Sequence, residues 1–80
     1  MNVLQALGVK NSNDARALLA ARSLYGCRVY GGRLVHIRHA TNALHPLCND
    51  TIVRNTSWMF TDDGCYRCAT LALRVEVEDE

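Results

Sequence analysis

This sequence predicts a single α+β domain of 80 residues, and three stretches carry the prediction. From Asp14 to Tyr25 the chain is rich in alanine and leucine and free of proline and internal glycine, which favours a helix. From Cys27 to Ile37 it runs Cys-Arg-Val-Tyr-Gly-Gly-Arg-Leu-Val-His-Ile, with β-forming residues on either side of two glycines that can turn a hairpin. Cys65-Tyr66-Arg67-Cys68 then opens a second run of alanine and leucine that reads as a helix to about Val75. The expected division is a helical part over 1–26, a hairpin plus helix over 27–75, and an acidic tail over 76–80.

Asn2 to Leu7 reads as a short helix with Val3, Leu4 and Leu7 on one side, stopped by Gly8 as a left-handed C-terminal residue. Asn11-Ser12-Asn13-Asp14 supplies caps for the next helix, and Asp14 stands where negative charge favours a helix start. At about 100° per residue, Ala17, Leu18, Ala21, Leu24 and Tyr25 share one stripe, the expected core face. Arg16, Leu19 and Arg22 fall outside it and form a candidate partner-binding face.

Gly26 ends that helix. On the second hairpin strand, 33–38, Val35 and Ile37 share a core-facing side, and His36 lies opposite them with Leu34 and Arg38. From Thr51 to Phe60 apolar positions do not alternate cleanly, so an extended connection with at most a short strand is expected, packed over Trp58 and Phe60. Asp62-Asp63-Gly64 makes a turn that delivers Cys65, and Ala69, Leu71, Ala72 and Leu73 are the expected inner face of the last helix.

The cysteines point to a metal. Two cysteines separated by two residues can place both thiolates on one tetrahedral zinc ion, and Cys48 is the obvious third donor. A histidine completes a closed set of three cysteines and one histidine with the spacing His36-x11-Cys48-x16-Cys65-x2-Cys68. His36 ranks first as that ligand; His45, three residues before Cys48, ranks second, and His39, facing the other way on the strand from His36, third. Cys27 is expected to be a buried thiol that substitutes only if no histidine binds.

Disulfides and redox chemistry are the competing uses of four cysteines. Met1-Asn2-Val3-Leu4-Gln5 lacks the basic region and apolar run of a secretory leader, so a reducing, cytoplasmic location is expected. A thioredoxin-like pair needs a βαβ context that this chain does not suggest. No stretch is long and apolar enough to cross a membrane.

Leu34-Val35-His36-Ile37, Leu47-Cys48-Asn49, Thr56-Ser57-Trp58 with Thr61-Asp62-Asp63, and Cys65-Tyr66-Arg67-Cys68 together resemble small, mostly uncharacterised zinc-binding proteins of actinobacteria and their phages, whose ligands are one histidine and three cysteines. The resemblance spans Arg33 to Leu73. It implies one structural zinc, His36 as the fourth ligand, a Cys48 that ends a return strand, and, for a phage-encoded protein, residence in the host cytoplasm. Asn49 stands where those proteins often carry Gly-Arg. The hairpin, the connection and the helix opened by two thiolates resemble a treble-clef-like knuckle.

At this length a hydrophobic core alone is marginal, and a metal staple is expected on physical grounds. Without it the chain should be largely unfolded from Arg33 onward. All nine basic residues lie in 1–75 with only four acids, whereas 76–80 carries four acids. A module that docks on a protein partner is the first functional expectation. A DNA-binding regulator with a reduced winged helix-turn-helix is the second, although a net charge of +1 is less than such modules usually show. An enzyme is not expected, and neither is a small-molecule substrate: no glutamate precedes position 76 to act as a general base, and four protein ligands leave zinc no place for water.

Overall fold

The computed structural model describes residues 3–42, 44–58 and 64–77, with the backbone alone at 56–58. In chain order the elements are α1 (Val3–Leu7), α2 (Ser12–Ala20), β1 (Leu24–Val29), β2 (His36–His39), β3 (Val53–Trp58) and α3 (Tyr66–Ala72). The strands form one antiparallel sheet in the order β2-β1-β3, so β1 is central. This is an α+β architecture of N-terminal helices, a three-stranded sheet and a C-terminal helix, with a His/Cys cluster between sheet and last helix.

The five residues of α1 bury Val3, Leu4 and Leu7. Its end is a Schellman motif: Gly8 takes φ 77°, its N–H donates to Gln5 O (3.0 Å), and the Val9 N–H donates to Leu4 O (3.1 Å). Asn11 caps α2 by accepting the Asp14 N–H at 2.9 Å, with Asp14 in the first turn.

α2 is shorter than expected and turned differently. It stops at Ala20, Ser23 takes φ 55°, and Leu24 and Tyr25 belong to β1. Leu24 is buried from the strand and so does not mark a helical face. The buried residues of α2 are Ala15 and Leu19, one i, i+4 pair, with Leu18 half-buried beside them. Leu19 is only 2% exposed, whereas Ala17 and Ala21 are exposed. Arg16 is exposed and Arg22 half-buried, its Nη1 donating to Leu18 O at 3.0 Å. The expected face of Arg16, Leu19 and Arg22 is thus not a surface, because its apolar centre lies in the core.

The hairpin of β1 and β2 has the register that Gly31-Gly32 implies: Cys27 pairs with His36, Gly26 with Ile37, Tyr25 with Arg38 and Leu24 with His39. The ladder does not run up to the glycines. Beyond Cys27, β1 pairs with β3 alone, with Val29 opposite Val53 and the Tyr30 N–H donating to Ile52 O at 3.0 Å. β3 is a strand of six residues within the stretch read as an extended connection with at most a short strand. Its pairing skips Arg54 and Ser57, two bulges, and each bulge breaks the alternation by which a strand is recognised. Phe60, Asp62, Asp63 and residues 78–80 of the acidic tail lie outside the described residues, as does the side chain of Trp58.

α3 packs on α1 and β2 through Cys68, Ala69 and Ala72. Leu71 is half-buried and Leu73 exposed, since the inner face follows the i, i+3, i+4, i+7 positions of Cys65, Cys68, Ala69 and Ala72. The division at residue 26 falls inside β1, and the first and last helices share one core, in which Val3, Leu4, Leu7 and Leu19 join Ile37, Cys68 and Ala69. Leu19→Ala should therefore cost about 3 kcal/mol, and Leu18→Ala distinctly less, measured by urea unfolding of the metal-loaded protein.

Candidate metal centre

Four side chains from three separated stretches meet at one end of this core. His36 comes from the start of β2, Cys48 from the irregular connection between β2 and β3, and Cys65 and Cys68 from the N-cap and first turn of α3. Cys65 and Cys68 stand three residues apart on a helix start and so share a face. Their element is docked by its backbone: the Cys65 N–H donates to Val35 O at 2.8 Å, beside a parallel bridge between Val35 and Gly64.

Cys48 lies within a bend, not at the end of a return strand. Hydrogen bonds within the connection set its position. The Leu47 N–H donates to Ile37 O at 2.8 Å, the Val53 N–H to Leu44 O at 2.8 Å, and Asn42 Oδ1 accepts from the Leu44 and His45 N–H groups. Arg38 Nη1 adds a bond to His39 O at 3.1 Å, with its guanidinium 5.8 Å from the centre of the Tyr25 ring.

His36 Nδ1 lies 3.3 Å from Cys48 Sγ and 3.5 Å from Cys68 Sγ, and the Cys48 and Cys65 sulfurs are 3.7 Å apart. All four donor atoms lie within 4.8 Å of one another. Around one tetrahedral ion with bonds of about 2.3 Å to sulfur and about 2.0 Å to nitrogen, two sulfurs stand about 3.8 Å apart and sulfur and nitrogen about 3.5 Å. The separations from His36 to Cys48 and Cys68 and from Cys48 to Cys65 suit a single shared ion, which the four residues could bind. They are far from a disulfide, whose sulfurs are bonded at about 2.05 Å, and all four cysteines are free.

The other histidines are engaged elsewhere. His39 Nδ1 accepts from the Thr41 N–H at 3.2 Å and lies 2.8 Å from Thr41 Oγ1, while His45 Nδ1 donates to Thr51 O at 3.1 Å. Cys27 is fully buried and outside the cluster, and burial pushes its thiol up to about 11. Gly32 matters to the turn beside His36: a Cβ there would stand 2.8 Å from Val29 Cγ2 and 3.9 Å from His36 Nε2.

Burial disfavours charge at the cluster. It raises the thiols of Cys48 and Cys68 above their ordinary value and lowers the His36 imidazole below its own. Cys48, Cys68 and His36 are therefore held toward their neutral forms, and a divalent cation would stabilise the thiolates there, displacing protons as it binds. Sequence reasoning missed one side chain beside the sulfurs. Asn49 Nδ2 donates to Cys48 Sγ at 3.2 Å, and its Oδ1 accepts from the Thr51 N–H at 2.9 Å and from Thr51 Oγ1. The Asn-x-Thr turn pattern was legible as a local motif, but its contact with the sulfur was not.

Compared with family models, with curated proteins and with solved structures, the chain matches none. The site therefore rests on its own chemistry: three thiols and an imidazole arranged to bind one metal ion, in a small module where the ion would be structural.

Two outcomes are expected. His36→Ala should weaken metal binding by more than the roughly 10–100-fold typical of losing an outer-shell partner of a ligand, with His39→Ala and His45→Ala near wild type in a chelator competition. Because raised thiols must lose protons to bind metal, apparent affinity should fall as pH falls through the neutral range, as calorimetry in buffers of different ionisation enthalpy would show.

Proposed function

We propose that this protein is a small structural-zinc module, an accessory protein of the actinobacterial or phage type it resembles, that works by docking on a protein partner. The carrying observation is the four donor atoms within 4.8 Å, three of them sulfur. Zinc suits this set because thiolate and imidazole donors in tetrahedral array match its preferences. Four side-chain donors fill that shell, which favours a structural over a catalytic role. No described helix is long and apolar enough to cross a membrane.

The docking surface we propose lies where the β1 end of the sheet meets the connection before β3. Tyr30 (63% exposed), Leu44 (62%) and Ile52 (48%) are neighbours there, joined through the Tyr30 N–H to Ile52 O and the Val53 N–H to Leu44 O. Exposed Arg33 and Arg54 flank them in sequence, against exposed Asp50. Exposed apolar side chains with arginines near them in sequence fit a protein segment that carries apolar and acidic side chains.

Purified protein should contain one zinc per chain. Chelation should collapse amide-exchange protection throughout the domain, α1 included, because α1 packs on α3, which supplies two of the ligands. A metal-free protein with full protection would end this reading. Association with duplex DNA should be weak even at low salt; tight binding that falls steeply as salt is raised would favour a DNA-binding role instead.

A further inference from the structure

Cys48 is the ligand by which this centre meets solvent. Cys68 is fully buried and Cys65 nearly so, whereas Cys48 is half-buried on an irregular connection. Reactive reagents and competing chelators reach a metal–thiolate site through its accessible sulfur. Asn49 sits against that sulfur, with its amide nitrogen 3.2 Å from Cys48 Sγ. The amide cannot turn over without loss, since its oxygen is held by both the backbone N–H and the hydroxyl of Thr51. Reversing it would set an oxygen against the sulfur and an NH2 group against the Thr51 N–H.

We propose that Asn49 is a positioning residue of the metal centre: anchored by Thr51, it donates an N–H to the Cys48 thiolate, holding that ligand on the metal and lowering its reactivity toward electrophiles. The inference rests on the zinc reading above. A hydrogen bond to a metal-bound thiolate draws charge from the sulfur, and partners of this outer kind are typically worth 10–100-fold in metal affinity. The Asn49 donor is also distinct from whatever order the turn itself supplies, because the two ends of the amide have separate partners.

That separation gives the test. Asn49→Asp keeps the size of the side chain and the oxygen that Thr51 binds, and replaces the N–H donor with a carboxylate oxygen. Asn49→Ala removes both ends. Wild type and both variants are loaded with zinc or cobalt(II); iodoacetamide labelling of the zinc form is mapped by peptide mass, metal affinity is measured against a chelator, and the sulfur-to-cobalt charge-transfer band is recorded. Both variants should react first at Cys48, about tenfold faster than wild type, lose about tenfold in affinity, and show a shifted charge-transfer band. An Asn49→Asp variant matching wild type in labelling rate, affinity and spectrum would overturn the donor role, even if Asn49→Ala were impaired. Labelling of Cys65 or Cys68 before Cys48 would overturn it as well. A wild-type protein that takes up neither metal would remove this inference together with the zinc reading, whereas loaded variants indistinguishable from wild type would remove this inference alone.

Discussion

Three sulfurs and an imidazole nitrogen within 4.8 Å of one another, drawn from a strand, a loop and a helix start, are an arrangement that neutral groups do not hold by themselves. Thiols attract one another weakly, and burial makes their ionised forms more costly still. A divalent cation reverses both terms, since each thiolate then faces two positive charges at bond distance. Binding at sites of this kind can contribute on the order of 10 kcal/mol to folding, comparable to the whole stability of a domain. An ion at that junction would tie α3 to β2 and to the connection through Cys48, adding to the backbone bonds from Cys65 to Val35 and from Leu47 to Ile37.

Metal centre and core are continuous. Cys65 and Cys68 belong to the same buried cluster as Val3, Leu4, Leu7, Leu19, Val35 and Ile37, with Cys48 packed against it. Ala69 and Ala72 are fully buried where α3 approaches its neighbours, so small side chains bring the helix close while larger ones from α1, α2 and the sheet fill the space. A core of this size is marginal alone. A bound ion would therefore reinforce a fold that apolar burial assembles only in part, and α1 would feel it through its packing on α3.

The centre was more legible in the sequence than the fold around it, for a chemical reason. Cysteine and histidine have few uses at such spacing, and alternation on one strand was enough to favour His36 over His39. The hairpin register also followed from Gly31-Gly32, since Cys27 and His36 face each other as a turn there requires. Leu19 falls off the apparent helical stripe only because that stripe includes Leu24 and Tyr25, which the left-handed Ser23 delivers to a strand. β3 was hidden by its bulges at Arg54 and Ser57, which interrupt the period-two signal. The contact of Asn49 has no sequence signal, because a turn motif does not say which sulfur its free end will touch.

X-ray absorption at the zinc edge of the loaded protein tests the central claim most directly. A first shell of three sulfurs at about 2.3 Å and one nitrogen at about 2.0 Å, with the outer-shell scattering of a single imidazole, is the result this account predicts. A shell dominated by oxygen and nitrogen, or one with fewer than three sulfurs, would contradict it.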